Sequence, residues 1–128
     1  MTATARNKKT QGSVGLSAFF KIAEKWGLSV AQQTALLGIS SQSTFHKYKK
    51  DPEGANVDKD MMERISYILG IFKDLQTLLK DPVSADRWIK APNSAAPFNG
   101  KTALDLMCRG RVVDLYIVRQ YLAEQKGV

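Results

Sequence analysis

Ser29-Val30-Ala31-Gln32-Gln33-Thr34-Ala35-Leu36-Leu37-Gly38-Ile39-Ser40-Ser41-Gln42-Ser43-Thr44-Phe45-His46-Lys47-Tyr48-Lys49-Lys50 reads as two short helices joined by a tight turn. Ser29 and Gln32 have the form of a capping box, in which each side chain satisfies an orphan backbone N–H at the helix start. The helix they open runs from Val30 to about Leu37. It stops at Gly38, which adopts the left-handed conformation at little cost. Ile39 returns to the core, and Ser40 or Ser41 caps a second helix, Gln42–Lys50, with Phe45 and Tyr48 on its inner side. Asp51-Pro52-Glu53-Gly54 ends that helix.

Upstream, Leu16, Phe19, Phe20, Ala23 and Trp26 recur at helical steps along one apolar face, with Ser17 as the expected cap and Gly27 as the stop. Residues 1–15 are small, polar and basic, and read as a flexible arm. Downstream, Asp58 and Asp60 place negative charge at the start of a long helix. Met61, Ile65, Ile68, Phe72, Leu75 and Leu79 give that helix a heptad-like seam, which Met62, Leu69, Ile71 and Leu78 widen. So wide a stripe suits a central packing helix or a dimer helix. Asp81-Pro82 opens a short helix through Trp88, and Ala91-Pro92 ends it. Asn93–Gly100 is a loop, Thr102 caps a helix to about Cys108, and Gly110 closes it. Val112, Leu115, Val118 and Leu122 mark a last amphipathic helix. No strand pattern occurs, so the expected fold is all-α, with an N-terminal unit over 16–57 and a small C-terminal helical unit over 58–128.

The composition bounds what such a chain does. Its 128 residues are 44% hydrophobic and 24% charged, as in an ordinary globular protein rather than a disordered one. The longest charge-free stretch, Trp26 to His46, is dotted with Ser, Thr and Gln and is no membrane span. Met1–Ser13 has no apolar run behind its basic residues and is not a secretory signal. A lone cysteine, Cys108, excludes an intrachain disulfide framework and fits a reducing cytoplasm. No catalytic triad order, paired-carboxylate site, metal-ligand pair or glycine-rich phosphate loop appears, so no enzyme, metal or cofactor is expected. The formal net charge of +7 is uneven. Residues 1–57 hold 8 Lys/Arg against 3 Asp/Glu, whereas residues 58–128 hold 11 against 9. The basic half is the one expected to meet a polyanion.

Within that half, the two short helices have the spacing of a helix-turn-helix, whose first helix crosses the DNA backbone while the second enters the major groove. Ser41, Gln42, Ser43, Thr44, His46, Lys47, Lys49 and Lys50 are the candidate DNA contacts. Gln42 suits adenine, and Ser or Thr can bond either partner of a base pair. The lysines suit phosphates, which hold register without reading sequence.

Thr34-Ala35-Leu36-Leu37-Gly38-Ile39-Ser40, followed by Thr44-Phe45-His46-Lys47-Tyr48, resembles the Xre-type helix-turn-helix. There the apolar anchor of the recognition helix usually lies six residues after the glycine; here Phe45 lies seven after Gly38. The C-terminal half carries Arg64-Ile65-Ser66-Tyr67-Ile68-Leu69-Gly70-Ile71, Asp81-Pro82, Arg87-Trp88-Ile89-Lys90-Ala91-Pro92-Asn93 and Asn99-Gly100-Lys101-Thr102-Ala103-Leu104-Asp105-Leu106-Met107. This order is similar to the toxin-binding domain of the Xre–MbcA–ParS antitoxins, in which proline is common where this chain has Ala103. The resemblance covers roughly residues 16–128. It implies a type II antitoxin that binds a RES-domain, NAD-degrading toxin through the C-terminal domain, covers the toxin's active site, dimerises there and represses its own operon.

For a toxin contact the candidates are Trp88, Arg109, Arg111, Arg119, Leu122, Gln125 and Lys126. Trp88 on its own reads most simply as a core residue, and Arg109 and Arg111 either meet an acidic partner or are solvated. The end Leu122–Val128 either enters a partner's cleft or frays in solvent. A stand-alone regulator of phage or plasmid type, without a toxin partner, is the alternative reading of the same residues. A third is an interaction module whose helix-turn-helix is vestigial.

Overall fold

The computed structural model describes residues 10–127, and among them the protein is all-α. We label the helices α1 (Gln11–Trp26), α2 (Val30–Leu37), α3 (Gln42–Lys50), α4 (Lys59–Leu78), α5 (Pro82–Arg87), α6 (Ala103–Met107) and α7 (Val112–Gln125). Single 3₁₀ turns lie at Pro52–Gly54 and Trp88–Lys90.

The long helix α4 is the centre of the molecule, with α1 and α7 packed along it. Asp58 starts it by accepting a hydrogen bond from the Met61 N–H at 2.9 Å. Its fully covered apolar residues are Met61, Ile65, Ile68, Ile71 and Leu75, while Phe72 and Leu79 of the expected seam are half-buried. The stripe drifts because a single straight helix repeats every 3.6 residues, and only supercoiling holds a 3.5-residue seam in line. Here α4 packs against different neighbours along its length, so it is a packing helix of this fold.

At the N-terminus the structure corrects the reading. Helix α1 begins at Gln11, so residues 11–15 of the expected arm are helical and Ser17 lies inside the helix. Residues 1–9 of that arm lie outside the described residues. The start is set by a reciprocal cap: Ser13 N–H donates to Thr10 Oγ1 at 3.0 Å, and Thr10 N–H donates to Ser13 Oγ at 2.9 Å. Gly12 and Gly15 suggest an irregular arm because glycine is a poor helix former. Both instead serve close packing: a Cβ on Gly12 would lie 2.9 Å from Val57, and one on Gly15 3.2 Å from Ile65.

After α4, Asp81 caps α5 by accepting from Ser84 N–H and Ser84 Oγ–H. The loop that follows is closed on itself. Asn93 N–H donates to the Lys101 carbonyl at 3.0 Å, Gly100 N–H to the Asn93 carbonyl at 2.7 Å, and Asn93 Oδ1 accepts from Ala95 N–H. Thr102 and Asp105 then form the capping box of α6, which fixes where that helix begins.

One continuous core joins the two halves. Leu16, Phe19, Trp26, Leu36, Leu37 and Phe45 from the first three helices meet Ile65, Ile68, Met107, Leu115, Val118 and Leu122. Among the described residues, no helix is long and apolar enough to cross a membrane.

Leu122 is therefore a core residue: it is 1% exposed, and its spacing from Leu115 and Val118, at three- and four-residue steps, turns it inward with them. It cannot offer a side chain to a partner without leaving the core, which corrects its place among the toxin contacts. Leu122→Ala is expected to lower the free energy of unfolding by about 2–5 kcal/mol through lost burial and the cavity left behind. Urea denaturation followed by circular dichroism measures this.

Candidate nucleic-acid and partner interfaces

The turn between α2 and α3 is built from backbone geometry. Gly38 has φ 75°, its N–H donates to the Thr34 carbonyl, and Ile39 N–H donates to the same oxygen at 3.0 Å. This pair of hydrogen bonds to one carbonyl closes the end of α2 and releases the chain toward Ser41. Ser41 caps α3, accepting from Thr44 N–H at 3.3 Å and pairing with the Ser43 hydroxyl at 2.8 Å. Phe45 is 1% exposed and is the inward anchor of α3, with Phe20 edge-on at 5.8 Å between centroids.

With Phe45 turned in, the helical repeat turns Ser43, His46, Lys47 and Lys50 outward. All four are exposed. Gln42 and Lys49 lie on one flank, Thr44 on the other, and the Ser41 side chain is committed to the cap. The Lys49 ammonium sits 5.5 Å from the Phe20 ring centroid, a cation–π contact that folds it back over the protein. The eight candidate DNA contacts thus share one helix, but half of them form its outer face. That face carries short polar groups and two lysines, a chemistry suited to a groove edge and its phosphates.

The seven candidate toxin contacts do not form one patch. Trp88, Leu122 and Gln125 line a small open groove with Leu78, Leu79 and Tyr121. Trp88 is half-buried there, stacked on Tyr121 at 6.1 Å and edge-on to Phe98 at 5.8 Å. Arg119 and Lys126 reach the other way, to Asp74 of α4. Lys126 Nζ donates to Asp74 Oδ1 at 2.9 Å and Arg119 Nη1 donates to Oδ2. Gly70 makes room for this crossing, since a Cβ there would collide with the Arg119 guanidinium. Arg109 and Arg111 stand at the start of α7 around Asp114. Arg111 donates two bonds to its carboxylate at 2.9 and 3.0 Å, and Arg109 lies at 3.9 Å. The two hydrogen bonds from Arg111 and the Asp114 charge hold the Arg111 guanidinium above its usual pKa.

Two buried carboxylates therefore organise this half, each shared by two partly exposed cations. Asp74 is 1% exposed and Asp114 fully buried. A single carboxylate cannot neutralise two cations, so both places leave positive charge facing outward. Sequence reasoning missed Asp74 and Asp114. The signal was an acidic residue next to a core leucine, Asp74-Leu75 and Asp114-Leu115, inside an amphipathic helix.

Sequence reasoning also missed Arg64. It is 9% exposed and donates to Asp60 Oδ2 at 2.9 Å, to the Ala35 carbonyl at 3.4 Å and to the Gly110 carbonyl at 3.0 Å. It therefore links the end of α2 to the loop before α7.

Two family models match the chain in succession. The model of the antitoxin Xre-like helix-turn-helix domain matches residues 5–70. That of the antitoxin Xre/MbcA/ParS C-terminal toxin-binding domain matches residues 74–127. The chain is also 49% identical, over 112 residues, to the uncharacterized protein y4oB of Sinorhizobium fredii (strain NBRC 101917 / NGR234). The match covers 88% of this chain and 84% of that protein.

Cys108 sits next to the Arg109–Arg111 loop and is half-buried rather than enclosed. Burial first, then the nearby Asp105 charge, pushes its thiol from 9.0 to about 11. Below pH 9 the folded protein then holds a roughly 100-fold smaller thiolate fraction than the unfolded chain, and the thiolate is the reactive form. Iodoacetamide is expected to alkylate Cys108 at pH 8 about two orders of magnitude more slowly in buffer than in urea, with the native rate rising up to about pH 11. Mass spectrometry of timed samples checks this.

Proposed function

The chain belongs to the Xre/MbcA/ParS antitoxins, and from that premise we propose that it blocks the active site of a RES-type, NAD-degrading toxin and represses its own operon as a homodimer. That it is an antitoxin of a toxin–antitoxin system, with a DNA-binding domain and a toxin-binding domain from non-enzymatic families, follows from the two matches. The RES identity of the toxin, operon repression, the homodimer and a cytoplasmic site of action are our reading.

The observation that carries the DNA-reading part is the outer face of α3. Ser43 and His46 lie where base edges would be met, and Lys47 and Lys50 where phosphates would be. Gln42, Thr44 and Lys49 support the contact from the flanks. In a dimer the two copies of α3 would enter successive major grooves about 34 Å apart on an inverted repeat. The partner-binding part rests on the toxin-binding match and on the positive charge left outward at Arg109, Arg111, Arg119 and Lys126. Trp88 and Gln125 add the aromatic and polar edges of a separate groove.

Each lysine that neutralises a phosphate contributes about one unit to the slope of log K against log salt. Lys47→Ala and Lys50→Ala are each expected to flatten that slope by about one on a duplex from upstream of the reading frame. Lys49→Ala is expected to change it by less than half as much, because its ammonium is held over Phe20. Fluorescence anisotropy at several salt concentrations measures all three, and equal effects would place Lys49 on the phosphates as well.

Co-expression with the adjacent gene tests the toxin. Growth arrest by that gene alone, relief by this protein and co-purification of the two are expected. Depletion of cellular NAD during the arrest identifies the toxin as NAD-degrading, and arrest with NAD intact would overturn the RES assignment. A harmless neighbour that does not co-purify would sink the pairing altogether.

A further inference from the structure

Arg64 belongs to neither proposed contact surface, yet it touches the supports of both. Its guanidinium and Cδ lie against the helix-turn-helix turn: a Cβ on Gly38 would be 2.8 Å from Nε and 3.0 Å from Cζ. From that position Nη1 reaches the Ala35 carbonyl in the last turn of α2, and Nη2 reaches the Gly110 carbonyl. Asp60, one turn earlier on α4, accepts from Nε and fixes the plane of the fork.

The Gly110 loop is held from its other side as well. Arg109 and Arg111 flank Gly110, and both are drawn to Asp114 of α7. Gly110 itself has φ 92°, so the carbonyl that Arg64 binds is set by a left-handed residue between two arginines. Both arginine side chains are more than half exposed. A carboxylate of a partner protein would compete with Asp114 for them. Any resulting turn of the loop would change the acceptor that Arg64 sees, and the guanidinium could follow only by moving against Gly38 and Ala35.

We infer that Arg64 is a positioning residue that couples the Arg109–Arg111 loop to the turn before α3, so that engagement of this loop by an acidic partner surface alters the pose of the DNA-reading helix. The inference deepens the proposed function and rests on it for the purpose of the coupling. The coupling itself is a property of the chain alone.

Amide chemical shifts in ¹⁵N-labelled full-length protein test it. Arg111→Ala releases the loop without touching the first half of the chain. Resolvable shifts are expected at Gly38, Ile39 and Ser40 and along α3 when Arg64 is present. The same substitution made in an Arg64→Met background should leave those amides where they were. Arg64→Lys, which keeps the charge but reaches one carbonyl at a time, should give a smaller response and replaces Arg64→Met if that variant does not fold. Shifts confined to residues 108–118 in the native background, or equal shifts at 38–44 with and without Arg64, would overturn the inference. A second arm titrates a duplex from upstream of the reading frame: Gly110 and Arg111 amides should move in the native chain and stay still in Arg64→Met. Absence of any duplex binding would count against the DNA-reading proposal, while the first arm still decides the coupling.

Discussion

A guanidinium has five N–H donors, no acceptor, and is charged at every physiological pH, so burying one commits its surroundings to satisfying it. Arg64 imposes that constraint at the centre of this fold. It requires an acid one turn away, which is Asp60, and two carbonyls, Ala35 in the last turn of α2 and Gly110 in the loop before α7. It requires that nothing stand between it and the turn. Gly38 meets two demands with one residue, since its left-handed φ closes α2 and its missing Cβ leaves the guanidinium its place. Substituting Gly38 would therefore strain the turn and displace Arg64 together.

The same logic with the sign reversed governs the C-terminal half. Asp74 and Asp114 are carboxylates out of reach of water, and each is paired with two cations from the rim. Because the carboxylates are buried and the cations are not, the positive ends project outward while their anchors stay fixed. Long side chains held this way lose less freedom on meeting a partner than free lysines would. Cations anchored in this way, and apart from them the cluster of Trp88, Tyr121 and buried Phe98, differ in chemistry from the lysine-edged face of α3.

How far the sequence could be read depended on whether the signal was local. The bounds Val30–Leu37 and Gln42–Lys50 agree with the structure because caps and a C-terminal glycine are written within a few residues of each end. Asp58, Asp81 and Thr102 mark their helix starts for the same reason. The start of α1 escaped because glycine's local preference points away from helix. What overrides it is contact with Val57 and Ile65, some fifty residues distant for the latter. Leu122 was legible as core from its period, but proximity to the chain end drew it toward the partner surface. The outer face of α3 needed the structure to separate Lys49 from Lys47 and Lys50, since Phe20 is remote in sequence. Arg64, Asp74 and Asp114 depend on pairings between elements, which no spacing along the chain records.

The two matched regions meet between residues 70 and 74, within a helix that is continuous from Lys59 to Leu78. Arg64 lies on the first side of that boundary and bonds to Gly110 on the second, and Leu16 to Phe45 share one core with Leu115 to Leu122. A helix this long, buried by α1 toward one end and clamped through Asp74 toward the other, resists bending, because shifting either end would break packing along its length. DNA-binding and toxin-binding modules joined by a flexible linker would act independently. Joined through α4 and Arg64, they share one core, and the Arg64 hydrogen bonds to Ala35 and Gly110 are the route by which the inferred coupling would pass from one face to the other.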